Sequence, residues 1–203
     1  MRESFNIILA GVGGQGVILS STIIGEAAVE DGLRVRIAES RGLAQRGGIV
    51  TSHIRIGKGI HSPLIPKGKA DGVVGFEPME FLRHCEYLKG EGGFGVVNKD
   101  PILPVTSRIG LEGYPDYGAL MDAIRSSAAE VYIIDGLGIA KELGNPNMLS
   151  IVMVGALYAA AGLPISRGAL EASIRRNVPK GTEGANLKAF EEGIRAIGGR
   201  IDC

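Results

Sequence analysis

The stretch LAGVGGQGVILSS, residues 9–21, decides the fold, because an apolar strand pattern ends in it and a helix pattern begins in it. Three of its glycines, Gly11, Gly13 and Gly16, spell G-x-G-x-x-G, and Gly14 adds a fourth. Glycine accepts a positive φ and lets the backbone approach a neighbouring group closely. The N–H groups at the start of a helix favour an anion. The stretch therefore predicts a strand, a tight glycine loop and a helix, with the loop as a candidate anion site.

Strand and helix patterns alternate along the first two thirds of the chain. The helix after the glycine loop runs to about residue 31, and residues 33–39 form a second strand, which completes a βαβ opening. The remaining strands are predicted at residues 49–56, 72–76, 95–98 and 131–135, and helices at 78–88, 116–127, 137–143, 147–161, 167–177 and 183–197. This order predicts an α/β fold, a doubly wound, mostly parallel sheet of the Rossmann-like three-layer type with a helical C-terminal part. We expect one domain over residues 1–203.

The composition argues against several classes of protein. Lys and Arg total 22, as do Asp and Glu, so no net charge attracts nucleic acid or a membrane surface. The longest apolar stretch, residues 151–161, is too short to span a bilayer. Cys85 and Cys203 are far apart and form no zinc or iron–sulfur motif, which predicts a reduced, cytoplasmic protein. The chain starts almost directly with a strand, so we expect no signal peptide.

A dinucleotide site is one interpretation of the glycine loop. In such sites an acidic residue about 20 positions downstream binds the ribose hydroxyls, and Glu39 stands near that position. Arg41 and Arg46 follow, and two arginines suit phosphate or partner contacts better than bare NAD. The structural alternative is that the glycines only let the helix pack tightly on the sheet. The residues alone leave these interpretations open.

Four segments together resemble a known family. Residues 10–28, AGVGGQGVILSSTIIGEAA, and residues 39–57, ESRGLAQRGGIVTSHIRIG, resemble the gamma domain of the 2-oxoacid:ferredoxin oxidoreductases. Enzymes of this family decarboxylate a 2-oxoacid on thiamine diphosphate and pass electrons through iron–sulfur clusters to ferredoxin. Within the family, the QRGG spelling and the segments at residues 62–84 and 145–157 are similar to the indolepyruvate-type beta subunits. The resemblance covers nearly the whole chain.

The resemblance implies a subunit that is inactive alone. The chain has no GDG stretch, which marks the family's thiamine site, and its two cysteines cannot hold clusters. Thiamine diphosphate, Mg and iron–sulfur clusters are therefore expected on a larger partner subunit, and ferredoxin is reached through the complex. The implied substrates are arylpyruvates such as indolepyruvate, which are oxidised to acyl-CoA. The alternatives are the gamma subunit of a pyruvate, 2-oxoglutarate or branched-chain oxoacid enzyme and, in another class, a stand-alone nucleotide-binding module with Glu39 on the ribose.

The candidate binding site lies at the carboxyl ends of the strands, where open α/β sheets form their ligand crevice. The glycine loop and the segment 40–48 should lie side by side there. Coenzyme A is the shared ligand that the resemblance implies, and the alternative is that the two loops close over the thiamine site of the partner. The candidate binding residues are Gly11, Gly13, Gly14, Gln15, Gly16, Arg41, Arg46, Gly47 and Gly48. We expect no catalytic and no metal-ligating residue on this chain.

Other chemistry-bearing residues have structural interpretations. His53, His61 and His84 match no metal spacing, and Cys85 is expected to be a small buried side chain. Asp135 precedes a helix pattern and is expected to be its N-cap. The helix at residues 148–161 is apolar nearly all round, which predicts a central buried helix or one that lies under a partner.

Overall fold

A computed structural model describes residues 4–42, 48–103 and 113–198 of the chain. The strands in these ranges are β1 (Ser4–Val12), β2 (Val35–Arg41), β3 (Ile49–Gly57), β4 (Gly72–Gly75), β5 (Phe94–Asn98) and β6 (Glu130–Ile134). The helices are α1 (Val17–Glu30), α2 (Pro78–His84), α3 (Tyr117–Ser126), α4 (Gly136–Glu142), α5 (Leu149–Ala161), α6 (Arg167–Asn177) and α7 (Glu183–Gly198). Short 3-10 turns follow α2 at Cys85–Tyr87 and precede α5 at Pro146–Met148. The described helices include none that is long and apolar enough to cross a membrane.

The six strands form one sheet in the order β2-β3-β1-β4-β5-β6. Strands β1, β4, β5 and β6 are parallel, which confirms the mostly parallel α/β sheet. The sequence pattern did not reveal that β3 lies between β1 and β2 and runs antiparallel to both. Only residues 42–48 connect β2 to β3, and a connection this short suits an antiparallel pair, since a parallel crossover needs a dozen residues or more.

Apolar side chains cover both faces of the sheet, which confirms the three-layer arrangement. Alternate residues of a strand point to opposite faces, so Ile7 and Leu9 of β1 pack toward α1, whereas Ile8 packs with Phe81 of α2. The first face also carries α5, α6 and α7, and the second face carries α2 and α3. Strands β2 and β3 are not covered equally on both faces. The helix that packs on them is chiefly α1.

The apolar helix α5 is buried within the chain itself. It packs on the sheet and on α7, where Gly155 and Gly193 leave no room for a Cβ, because each faces backbone of the opposite helix at Phe190 and Val152. Small residues at such a crossing let two helix backbones approach closely. Of the two interpretations of this segment, the central buried helix is therefore correct, and α5 is no argument for an external partner.

The helix starts differ in one respect that matters for the site. Side chains cap α2, α3, α4 and α6, and Asp135 is the cap of α4, as its sequence position predicts. Helix α1 begins at Gly16 with no side-chain cap, and α5, which continues a 3-10 turn, also has none. The first N–H groups of a helix have no partner within it. The amino end of α1 is therefore left to neighbouring loops, solvent or a ligand.

Candidate functional site

The glycine loop connects the end of β1 to the start of α1. Gly14 and Gly16 adopt φ of 102° and 79°, a region that side chains other than glycine's rarely enter. A Cβ on Gly16 would lie 2.6 Å from the Ser150 Cβ, so Gly16 also lets α1 approach α5. A Cβ on Gly14 would meet nothing within 4 Å. The two glycines therefore differ, since Gly16 is required for packing and Gly14 faces open space.

Gln15 is buried beneath the loop and bonds to the protein at both ends of its amide. Its Oε1 accepts a hydrogen bond from Val12 N at 2.8 Å, and its Nε2 donates to the carbonyl oxygen of Phe76 at 2.8 Å. A Cβ on Gly11 would lie 2.8 Å from the Gln15 Oε1, so Gly11 makes space for this amide. Gln15 therefore fixes the loop against the end of β4 and is a positioning residue for the loop.

Asn98, at the end of β5, also bonds to the Phe76 carbonyl oxygen and holds neighbouring segments together. Sequence reasoning did not single it out. It is buried, its Nδ2 donates to the same Phe76 oxygen at 3.2 Å, and its Oδ1 accepts from Leu137 N at 3.1 Å. It thereby ties the end of β4 to the first turn of α4. The available signal was a polar residue at the carboxyl end of a buried parallel strand, where α/β proteins place functional groups.

The last residue of the segment between β2 and β3, Gly48, lies beside the glycine loop, as expected. Gly13 N donates to the Gly48 carbonyl oxygen at 2.9 Å, and Gly42 N donates to the Ile49 oxygen at 2.8 Å. Arg46 and Gly47, which the sequence also assigns to this site, lie outside the described residues. The structure thus brings Gly48 to the glycine loop at the carboxyl edge of β1.

Arg41 ends β2 on the same side of the sheet as α1. Its register partner on β3 is Val50, and the partner of Val50 on β1 is Gly11, so Arg41 lies about 10 Å from Gly11 across two strand spacings. Its guanidinium is exposed and bonds to the Glu39 Oε2 at 3.0 Å. Arg41 therefore brings a guanidinium, paired with Glu39, to the α1 side of the sheet, level with the carboxyl end of β1.

Glu39 does not have the environment of a ribose-binding carboxylate. Its Oε1 accepts from the Ser21 hydroxyl of α1 at 2.9 Å, and its other oxygen pairs with Arg41. Its register neighbour is Ser52, whose partner on β1 is Leu9, so Glu39 stops short of the sheet edge. Strand β3 also separates it from β1. This geometry disfavours the interpretation of a stand-alone dinucleotide module.

An ion pair between Lys99 and Asp135 lies where β5 and β6 end. Lys99 Nζ is 2.6 Å from the Asp135 Oδ2, and the Oδ1 of Asp135 accepts from Gly138 N at 2.9 Å. Partial burial acts to raise the pKa of Asp135, but the hydrogen bonds from Lys99 and Gly138 hold that pKa below its usual value. Burial, with the negative charge of Asp135, raises the pKa of Asp100. At the carboxyl edge of the sheet, next to Asn98, the charges of Lys99 and Asp135 thus neutralise each other.

His53, His84 and Cys85 belong to local packing, whereas His61 is exposed in a loop. His53 Nδ1 accepts from Ile65 N at 3.2 Å, and His84 Nε2 lies 3.1 Å from the Thr51 hydroxyl. Burial, and then the nearby His84, lower the pKa of His53. Burial, and then Glu86, raise the pKa of the half-buried Cys85 thiol. In the described ranges, no three His, Cys, Asp or Glu side chains are grouped to hold a metal ion. These residues do not fit a magnesium or cluster site.

Comparison with protein families and characterised proteins gives a match over almost the whole chain. Residues 6–196 match the model of the family described as pyruvate ferredoxin/flavodoxin oxidoreductase. The indolepyruvate oxidoreductase subunit IorB of Thermococcus kodakarensis is 36% identical over 197 residues, which covers 97% of this chain and 96% of the relative. The 2-oxoglutarate synthase subunit KorC of Methanothermobacter thermautotrophicus is 32% identical over 194 residues, which is 94% of each chain.

Solved structures share the fold. The gamma subunit of a keto/oxoacid ferredoxin oxidoreductase from Geobacter sulfurreducens superposes with a TM-score of 0.69 at 25% identity and covers 95% of this chain and 98% of its own. The 2-oxoglutarate:ferredoxin oxidoreductase of Magnetococcus marinus, solved with 2-oxoglutarate, coenzyme A and succinyl-CoA bound, gives a TM-score of 0.74 at 22% identity. That match covers 98% of this chain but 32% of the larger one. The same fold therefore occurs both as a separate subunit and as part of a longer chain.

Proposed function

We propose, from the premise that this chain belongs to the pyruvate ferredoxin/flavodoxin oxidoreductase family, that it is the non-thiamine-binding subunit of a ferredoxin-dependent 2-oxoacid oxidoreductase. The complex would oxidatively decarboxylate an arylpyruvate such as indolepyruvate to its acyl-CoA. The similarity to IorB carries this proposal, because it spans both chains almost completely. KorC is also similar over nearly the whole chain, but at lower identity, so 2-oxoglutarate is the second candidate substrate. We further propose that residues 1–203 form one gamma-type domain.

A larger subunit completes the enzyme in this proposal. Thiamine diphosphate and clusters need ligand sets that the described residues of this chain do not offer. The Magnetococcus relative supports a larger partner, since there the same fold occupies about a third of a longer polypeptide. Ferredoxin would be reduced through that partner. The two widely separated cysteines fit a reducing, cytoplasmic setting.

The carboxyl edge has the features of a phosphate site, which favours coenzyme A as its ligand. The amino end of α1 has no side-chain cap, and a Cβ on Gly14 would meet no atom within 4 Å. The Arg41 guanidinium, which pairs with Glu39, lies on the same side of the sheet. Coenzyme A would supply the thiol that receives the acyl group. The proposed ligand residues are Gly13, Gly14, Gly16, Arg41, Arg46, Gly47 and Gly48, with Gly11 and Gln15 holding the loop in place.

The substrate is tested with the assembled complex. The chain is co-expressed with the larger subunit, and ferredoxin reduction is measured with indolepyruvate, phenylpyruvate, pyruvate and 2-oxoglutarate, each with and without coenzyme A. We expect activity with the two arylpyruvates. Preference for pyruvate or 2-oxoglutarate would refute the substrate while leaving the family assignment intact. A chain that elutes alone and adds nothing to the larger subunit's activity would refute the subunit proposal.

A further inference from the structure

Strands β2 and β3 have one sheet face that is only partly covered. On the α1 side, Ile37 of β2 packs against Gly25 of α1. On the opposite face, β2 carries Arg36 and Ser40, which are exposed, and Ala38, which is half-buried. On this face the end of α2 and the following turn lie against β3, where His84 is 3.1 Å from the Thr51 hydroxyl and Tyr87 packs edge-on to His53. The carbonyl groups of Ser62 and Leu64 accept from Arg55 of the same strand. The part of the face formed by β2 is therefore open.

An arginine on the open part of this face stands opposite a half-buried arginine of β3. Arg36 of β2 and Arg55 of β3 are register partners. Opposed residues of an antiparallel pair have Cβ atoms about 5 Å apart, and like charges in that position are destabilising. Arg36 donates only to its neighbour's carbonyl oxygen, and Arg55 donates to Asn6 Oδ1 and to the Ser62 carbonyl oxygen, each at 3.0 Å. Neither has a carboxylate partner among the described residues.

Two more cations extend this group. Arg34 immediately precedes β2 and Lys58 immediately follows β3, so they lie at the same end of the strand pair. Both are exposed and lack an ion pair within the described ranges. We name these four residues, Arg34, Arg36, Arg55 and Lys58, the basic patch. Its excess charge is local, because the chain as a whole has equal numbers of cationic and anionic side chains.

Several arginines elsewhere on the surface are paired with carboxylates. Arg176 of α6 pairs with Glu30 at 2.6 Å, and Arg125 pairs with Asp122 at 3.0 Å. Asp71, which is linked to Arg55 through Asn6, is itself held by Lys89 at 2.6 Å. The fold supplies carboxylates to these cations, and Arg175, which has none in the described ranges, lies next to the paired Arg176. In the basic patch, by contrast, Arg36 and Arg55 are register partners, and neither has a carboxylate among the described residues. This grouping of unpaired cations favours carboxylates from another molecule.

We propose that the basic patch docks an acidic surface of the larger subunit. Strand β2 is an edge strand, so nothing in the sheet lies beyond it. A second copy of this chain added antiparallel to that edge would place its own Arg34 and Arg36 on the same face and double the unpaired charge. An acidic partner would neutralise it. Leu64, 60% exposed, lies beside Arg55 and supplies the apolar contact that interfaces combine with arginine.

This inference rests on the proposed function, because it takes the larger subunit as the partner. The test compares Arg36→Glu with Arg175→Glu in the co-expressed complex. Arg175 is an exposed cation of α6, on the helix-covered side of the sheet, and makes no ion pair in the described part of the chain. The readouts are the dissociation constant of the two subunits at low and high salt and the melting temperature of the purified chain.

We expect Arg36→Glu to weaken assembly on the order of tenfold or more at low salt and to flatten the salt dependence. Arg36→Lys should assemble normally, and Arg175→Glu should leave assembly unchanged. The isolated Arg36→Glu chain should melt no lower than the wild-type chain, because the new carboxylate faces Arg55. This combination of a stable chain and a weak complex distinguishes docking from a structural role.

Other results would overturn the inference. Normal assembly of Arg36→Glu refutes it, and if ferredoxin reduction alone then falls, the patch serves ferredoxin instead. If the wild-type chain forms a homodimer and Arg36→Glu abolishes it, the patch binds a second copy of this chain. Weaker assembly that follows a lower melting temperature assigns Arg36 a structural role. If the wild-type chain does not bind the larger subunit at all, the proposed function fails, and the docking surface fails with it.

Discussion

Where β1, β4 and β5 end, Gln15 and Asn98 both donate to the Phe76 carbonyl oxygen, whereas on the outer strands Arg36 and Arg55 face each other with no carboxylate in the described chain. The inner strands are covered on both faces, so a polar group there must find its partner within the protein. Strand β2 is covered on one face only, so the charge of Arg36 can remain unpaired there. The comparison indicates that the fold itself sets the shape of the glycine loop, while a partner completes the outer face.

The largest expected effect comes from Gly16, which belongs to the tightly packed inner region. Gly16→Val adds about 1–2 kcal/mol of backbone strain at its positive φ and about 1–3 kcal/mol of overpacking against Ser150. Gly14→Ala should cost only the strain, because a Cβ there meets open space. Urea unfolding of both variants tests this difference. Equal losses of stability would show that Ser150 moves aside and that the α1–α5 contact is not tight.

Gln15 tests whether the loop is held by its own hydrogen bonds. Gln15→Leu leaves Val12 N without its acceptor and removes one donor from the Phe76 oxygen, so unfolding should become easier by about 1–3 kcal/mol. In the assembled enzyme we expect a higher KM for coenzyme A and a smaller change in kcat, since the loop shape changes and no reacting group is lost. An unchanged KM would argue that the loop serves packing alone. Asn98→Ala is the comparison variant, because it removes the other donor without touching the loop.

The pH dependence of stability should report on His53, at the margin between the covered and open regions. Its pKa is lowered in the folded chain, so the unfolded chain binds more protons between that value and about 6.5. Stability is therefore full above about pH 6.5 and falls as the pH drops toward the folded pKa. Protonation would also remove the acceptor that His53 Nδ1 offers to Ile65 N.

The matched variant is His53→Asn, which keeps an acceptor and does not titrate in this range. Urea unfolding at about pH 7 and about pH 5 should show a smaller acid loss in the variant than in the wild-type chain. If the free energy of unfolding falls equally between the two pH values in both proteins, other groups cause the acid sensitivity.

The smallest effect is expected at Glu39, whose carboxylate is partly exposed. Glu39→Ala removes a surface ion pair with Arg41 and a bond from Ser21, and such pairs contribute about 0–1 kcal/mol. Titration of the purified wild-type chain with NAD and FAD should show no micromolar binding. Tight binding of either cofactor that is lost in Glu39→Ala would restore the dinucleotide interpretation.

Local patterns were sufficient to predict most of the elements. The apolar run before Gly11 and the glycines after it predict the β1–α1 unit, and the alternation of Val50, Ser52, Ile54 and Ile56 predicts which side of β3 is buried. The Asp135 cap is likewise a local property, because its acceptor and the Gly138 donor are three residues apart. The resemblance of longer segments to the 2-oxoacid:ferredoxin oxidoreductases then predicted the family.

Long-range contacts decided the rest. The insertion of β3 between β1 and β2 depends on hydrogen bonds between strands far apart in the chain, and it moves Glu39 away from the glycine loop. The role of Gln15 depends on an oxygen 61 residues away, and Gly16 depends on a helix beyond residue 148. Side-chain types along the chain determine which segments become strands and helices. Which of their polar groups pair with each other, and which charges stay unpaired, is determined only when the sheet brings distant segments together.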